Sequence, residues 1–276
     1  MLHVYGAAGG VPAYLKLFNS KLSFWENVEQ LYLTKGGVLY EEAEYLLRQE
    51  LREPRAYMMI MKSISEGKRR VTDIASDTGL DKSAVSRYLH TLELLDLVGF
   101  ETPALEKPKT KKRLYYIKDC YMRFWFRYIY PNRDLIEEWR SAELLEEIKR
   151  DYSSYMSWVF ERIARKLLAK VRLPAKPVKL SRQWGKTSKG AYEIDILGYT
   201  LDKRVLLAFE VKWASLKLSD ARRILSKLAE KLKAARLEPE RAYYGIVARE
   251  VDGKSLLREE GYLAFDLRDV EKALTQ

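Results

Sequence analysis

Two short runs carry the residues that could do chemistry. Residues 208–213 read AFEVKW, and residues 193–197 read EIDIL. Alternate residues of a strand share a face, so Glu210 and Lys212 are expected to point the same way, with Val211 opposite. By the same rule Glu193 and Asp195 share a face, opposite Ile194 and Ile196. If the two strands pair, three carboxylates and one ammonium converge on a mostly apolar hairpin. Charges in such a place are costly unless something pairs with them. Two or more carboxylates suit Mg²⁺ or Mn²⁺, hard ions that prefer oxygen ligands and keep waters for reaction. A metal there lowers the pKa of bound water and stabilises charge on a phosphoryl oxygen. A lysine beside it can orient or deprotonate the attacking water. Asp195 followed fifteen residues later by Glu-x-Lys therefore suits a metal-dependent phosphodiesterase. The plain alternative is a structural ion pair across strands.

The elements that must position these residues are legible around them. YMSWVFERIARKLLAKV reads as a helix, KPVKLSRQW as a strand, and AYEIDILGYT and RVLLAFEVKW as a hairpin joined by LDK. SDARRILSKLAEKLKAAR reads as an amphipathic helix capped by Ser219, and RAYYGIVA and YLAFDL as two more strands. The expected order is α-β-β-β-α-β-β.

Upstream, PRAYMMIMKSISEG reads as a helix opening at Pro54 and closing before Gly67, and VTDIASDTG as one closed by Gly79. DKSAVSRYLHTLELLD is a third, with Asp81 as N-cap and Val85, Leu89, Leu92 and Leu95 along one face. LVGFE and RLYYI are strand-like, and a lysine-rich loop separates them. Three helices and a basic hairpin make a winged helix-turn-helix. In that motif the third helix meets DNA bases. Lys82, Ser83, Ser86 and Arg87 lie at or near its N-terminal half. Lys107, Lys109, Lys111, Lys112 and Arg113 would contact phosphates from the wing. A winged helix that docks protein is the competing reading. Ser23 is expected to cap a helix in SFWENVEQLYL. DCYMRFWFRYIYP reads as a core aromatic helix ended by Pro131, and 134–150 as an acidic, solvated linker helix. The chain thus divides into a helical segment 1–50, a winged helix 51–118, a helical linker 119–150 and an α/β domain 151–276.

Composition agrees with a polyanionic partner. Of 276 residues, 50 are Lys or Arg and 39 Asp or Glu, a formal net charge of +11, which favours nucleic acid. Ten Lys or Arg and no acid lie between Arg162 and Lys189, a candidate track for a nucleic-acid backbone. The single cysteine, Cys120, excludes an internal disulfide framework and fits a reducing cytoplasm. With His3 and His90 as the only histidines, zinc chemistry is not expected. No apolar run reaches the roughly 20 residues that span a bilayer, and MLHVYGAAGGVPAYL lacks the charged start of a signal peptide. The 32% charged content leans toward a thermophile.

IDIL followed by FEVKW, within α-β-β-β-α-β, resembles the PD-(D/E)XK nuclease superfamily. That resemblance implies Asp195 and Glu210 as metal ligands and Lys212 as the catalytic lysine. It also implies Glu161, in VFERIA on the preceding helix, as an additional acidic ligand. Ile194 stands where the signature has proline, a position at which the superfamily varies. The wider chain resembles the C-terminal part of a family of archaeal ATPases, through GGVPAYL, ELREPRAYMMIMKSISEG, YYIKDCYMRFWFRYIYP and FERIA…EIDIL…FEVKW in that order. In that family a P-loop ATPase domain precedes a winged helix and a nuclease-like domain. No G-x-x-x-x-G-K-[ST] occurs here: WGKT at 184–187 has Leu180 where the first glycine belongs. GGVPAYL would be a remnant of the ATPase lid, and no ATPase activity is expected.

The expectations are an α/β (α+β) fold, DNA as partner, and Mg²⁺- or Mn²⁺-dependent endonuclease chemistry. Two alternatives stand beside them. One is an inactive DNA-binding or docking subunit that works with a separately encoded ATPase. The other is a winged-helix transcriptional regulator.

Overall fold

The computed structural model describes residues 1–107, 110–188 and 190–275. Lys109 and Lys189, two of the expected phosphate-binding cations, lie outside the described residues. The chain forms two units: Met1–Glu101 with Arg113–Ser153, and Thr102–Lys112 with the chain from Ser154 onward. The class is mixed α/β, of the α+β kind.

The first unit opens with α1 (Leu2–Ala8), α2 (Pro12–Leu17), α3 (Phe24–Tyr32) and α4 (Val38–Glu50). Ser23 and Glu26 make a reciprocal capping box on α3, which satisfies two backbone donors that the helix itself leaves free. Next come α5 (Pro54–Ser65), α6 (Val71–Thr78) and α7 (Lys82–Leu94). Gly79 ends α6 at φ 72°, the left-handed conformation that glycine adopts with least strain. Asp81 caps α7 by accepting the N–H groups of Ser83 and Ala84, both at 2.9 Å. Val85, Leu89 and Leu92 are fully buried, each contributing roughly 1.5–3 kcal/mol of hydrophobic stabilisation. β1 (Val98–Glu101) and β2 (Leu114–Ile117) pair antiparallel, Gly99 opposite Tyr116. The three helices and the two-stranded ribbon expected from sequence are therefore present.

α8 (Cys120–Phe124) runs into a π-helical turn, Trp125–Ile129, and a 3₁₀ turn, Tyr130–Asn132. The helix changes pitch at Trp125, before Pro131. Phe124, Trp125, Tyr128 and Ile129 are core, as expected. Anchors hold the wide turn: the Trp125 indole N–H donates to the Tyr40 carbonyl at 2.7 Å, and Arg127 forks onto Asp151 at 2.7 and 2.8 Å. α9 (Arg133–Glu137) is short, and α10 (Ser141–Leu168) is one continuous 28-residue helix. Two separate helices are expected there from sequence, one within 134–150 and one from Tyr155 onward. DYSSYMSW contains no glycine or proline, so nothing stops the helix from propagating through it.

The second unit is a five-stranded sheet in the order β3 (Lys179–Thr187), β4 (Gly190–Tyr199), β5 (Val205–Leu216), β6 (Arg241–Val251), β7 (Leu263–Phe265). The first two pairings are antiparallel and the last two parallel. α11 (Leu218–Ala234) crosses from β5 to β6, α12 (Lys254–Glu259) from β6 to β7, and α13 (Leu267–Thr275) follows. α12 and α13 are additions to the expected order. Ser219 lies inside α11, whose N-cap is Lys217, so it is not the cap. One sheet face packs Leu207, Phe209 and Val211 against Phe160, Ala164 and Leu168 of α10. The other packs Leu206 and Ala208 against Leu228 and Leu232 of α11.

The lysine-rich loop departs from expectation. Thr102–Lys112 belongs to the unit of the five-stranded sheet and not to that of α7. The cause is local. Ala104 is buried against Ile194 and Leu197, its N–H donates to the Arg182 carbonyl at 2.9 Å, and Leu105 N–H donates to the Gln183 side chain at 3.1 Å. The loop lies on the free edge of β3, where it satisfies the Arg182 carbonyl that an edge strand otherwise exposes.

Candidate functional site

The β4–β5 ladder runs from Tyr199↔Leu206 to Ile196↔Phe209 and ends there. On its other side, β4 pairs Leu197 with Ser181 but Ile194 with Gln183, so Asp195 and Ile196 together oppose Arg182. This is a β-bulge, and a bulge resets which side chains share a face. Ile196 packs on the α10 side of the sheet, whereas Ile194 packs on the α11 side. The strict alternation expected from sequence, with both isoleucines on one face, is thus corrected.

The consequence is a sorting of charges. β5 keeps its alternation, so Glu210 and Lys212 fall on the same side as Leu206 and Ala208, toward α11. Asp195 Oδ2 accepts the Val211 N–H at 2.8 Å, where the ladder has stopped, and lies 3.5 Å from Lys212 Nζ. Lys212 Nζ donates to Glu210 Oε2 at 2.8 Å, and Lys231 Nζ of α11 to Glu210 Oε1 at 2.5 Å. Two carboxylates and two ammonium groups form one cluster. Glu210 is 5% exposed, and a carboxylate so buried is tolerable only because both oxygens are paired. Burial pulls the Lys212 ammonium down, but the charges of Asp195 and Glu210 outweigh it and hold the group above its ordinary value of 10.5.

Glu193 and Glu161 go elsewhere. Arg182, opposite the bulge, pairs with both of them, and Glu161 also accepts from Arg165 at 3.2 Å. The expected convergence of Glu193 with Asp195 and Glu210 is therefore corrected. Among the described residues, no three His, Cys, Asp or Glu side chains stand close enough to share a metal ion. Asp195 and Glu210 are oxygen donors that meet on one lysine, and oxygen is the ligand type that Mg²⁺ and Mn²⁺ take. Lys231 was missed by sequence reading as a candidate. Its signal is its place on α11, three residues from Leu228 and next to Leu232, at the border of the buried stripe.

On α7, Lys82, Ser83, Ser86 and Arg87 are all exposed, on the face away from Val85 and Leu89, and exposed His90 extends that face by a turn. The Ser83 and Ser86 hydroxyls donate locally, to Asp81 and to the Lys82 carbonyl, and keep their acceptor capacity outward. Of the wing cations, Arg113 lies in the unit of α7, over the Phe100 ring at 4.1 Å. Lys107, Lys111 and Lys112 lie in the other unit, Lys112 paired with Glu106.

Comparison with known proteins places two stretches. Residues 58–99, from α5 to β1, match the helix-turn-helix of bacterial regulatory proteins of the arsR family. Residues 125–224 match a family described as archaeal and bacterial proteins of unknown function, and that stretch includes Asp195, Glu210 and Lys212. An uncharacterized protein of Methanocaldococcus jannaschii is 34% identical over 274 residues, which cover 98% of this chain and 60% of the relative. The chain thus spans about 60% of the length of the curated relative it matches. Among solved structures, a repair endonuclease from Pyrococcus abyssi is 21% identical, covering 32% of this chain and 37% of that one, with a TM-score of 0.23. A Vibrio cholerae protein is 14% identical, covering 90% of this chain and 54% of that one, with a TM-score of 0.30. Among the described residues no helix is long and apolar enough to cross a membrane.

Proposed function

We propose that this chain binds duplex DNA through α7 and cleaves phosphodiester bonds with Mg²⁺ or Mn²⁺ at Asp195, Glu210 and Lys212. The observation that carries the catalytic half is the meeting of Asp195 and Glu210 on Lys212 where the β4–β5 ladder ends. The helix-turn-helix match, with an exposed Lys82–Arg87 face, supports the binding half. Asp195 and Glu210 would hold the ion, which when bound supplies an activated water and charge neutralisation at the phosphoryl oxygen. The chain's own residues do the rest. The Val211 N–H fixes the Asp195 carboxylate. Lys231 and Lys212 each donate to one oxygen of the buried Glu210 and so hold its carboxylate in place. With its proton held, Lys212 acts as a donor to developing negative charge and not as a base at neutral pH. Glu161, held by Arg165 and Arg182, orders the bulge from the other side and is a positioning residue.

The test is a time course on supercoiled, branched and flapped DNA with each metal. Mg²⁺ or Mn²⁺ supports cleavage, whereas Ca²⁺, whose looser sphere positions water poorly, does not. Equal cleavage without added metal overturns the reading.

One observation favours a second reading. Both Glu210 oxygens are already neutralised by lysines, and an ion-pair cluster of this kind is stable without a metal. A DNA-binding subunit with no chemistry of its own, partnered with a separate ATPase, would be built this way. Failure of every metal and substrate, with duplex binding intact, selects it.

A further inference from the structure

The second unit holds a cleft of about 660 Å³ between the end of α10, the connection 169–178 and the start of β3. Its lining includes Arg162, Lys166, Arg172, Lys176 and Lys179, with Arg165 alongside and no acidic residue. Lys166, Arg172, Lys176 and Lys179 are exposed, and none of the four forms an ion pair among the described residues. Like charges gathered without counter-charges repel one another and raise the local concentration of an anionic ligand. The floor is apolar: Leu168, Val171, Leu173 and Leu180 pack into the α10-side core.

The cleft is separate from the site already described. Its floor belongs to the α10 face of the sheet, whereas Glu210 and Lys212 face α11. It is therefore not a continuous approach to the carboxylates.

We propose that this cleft is a binding site for single-stranded nucleic acid, with phosphates on the cations and a sugar or base against the apolar floor. The volume is that of a small-molecule pocket, enough for a nucleotide or two. A duplex, stiff over roughly 150 base pairs, cannot fold its backbone into such a concavity, but a single strand bends freely into it. The mixture of cations with an apolar platform is the chemistry that single-strand sites use. This site does not depend on α7 or on the catalytic reading. It adds a place for the displaced or tailed strand of a partly unwound substrate.

The experiment is fluorescence anisotropy of the full chain with labelled oligo(dT), in metal-free buffer over a salt series. The variant Lys166→Ala/Arg172→Ala/Lys176→Ala removes three exposed cations. It should weaken oligo(dT) binding at least tenfold and reduce the slope of log K against log salt by about 2, at ~0.7 for each phosphate no longer neutralised. Lys166→Arg/Lys176→Arg, which keeps the charge, should bind as wild type does, so that loss in the triple variant reports charge and not misfolding. Unchanged affinity or slope in the triple variant overturns the proposal. If thymidine monophosphate or ATP displaces the oligomer at equal phosphate concentration, the cleft is a free-nucleotide site and the strand assignment is overturned.

Discussion

Glu210 is buried between two ammonium groups, and Lys212 is shared between two carboxylates. Such a cluster is asymmetric in its energetics. Intact, it adds little net stability, but removing one member strands the others. Glu210→Gln should cost about 1–3 kcal/mol, the scale of losing hydrogen bonds to a charged partner, read from urea melts. The pH dependence follows from Lys212, whose folded-state pKa lies above its ordinary 10.5. A group raised on folding contributes stability that is whole below the unfolded value and is lost as pH rises through the folded one. The stability difference between wild type and Lys212→Met should therefore be flat through neutrality and shrink above about pH 10.5. A difference that changes near neutral pH would mean that another group titrates in the cluster. At this scale Asp195, Glu210 and Lys212 were legible because residue type and spacing in a strand are visible in sequence. Lys231 was not, because it stands on a crossover helix whose rotation over β5 is set by packing.

At the scale of elements, two devices place the site. The bulge at Asp195–Ile196 ends regular alternation, and the parallel pairing of β5 with β6 fixes β5 from its other edge. Gly245 eases that pairing: it sits opposite Phe209, and a Cβ there would run into the Phe209 ring. Gly245→Ala should cost about 1–3 kcal/mol, the usual scale of overpacking a core, and a melt unchanged from wild type would show that Phe209 has room to move. Elements with strong local signals were legible: Asp81 and Gly79 bound their helices, and Ser23 caps α3. The bulge was not, since one extra residue in a strand leaves no mark in a run such as EIDIL. Nor was the docking of Thr102–Lys112. A loop full of lysine reads as solvated, and only the buried Ala104 and the edge of β3 reveal where it belongs.

At the scale of the whole molecule, the charge of +11 is divided among distinct surfaces. One is the α7 face, with Lys82 and Arg87. Another is the cleft of the second unit. Duplex binding through α7 should be strongly salt-dependent, and Lys82→Ala/Arg87→Ala should reduce the slope of log K against log salt by about 2, at ~0.9 for each phosphate no longer neutralised. An unchanged slope would mean that α7 does not touch the duplex and would favour protein docking through that helix. Lys111 and Lys112, which sequence reading assigned to the same surface, lie with the other unit, so their removal need not follow the α7 variant.

The most direct test of the catalytic account is the behaviour of Asp195→Ala and Glu210→Ala in paired assays on one preparation, with Mn²⁺-supported cleavage and duplex affinity measured side by side. Both variants should lose cleavage while keeping duplex affinity within a few-fold of wild type. Lys212→Ala should retain cleavage reduced by ~10²–10³-fold, the usual effect of removing one donor to developing charge. Cleavage that persists at the wild-type rate in either carboxylate variant would contradict the account.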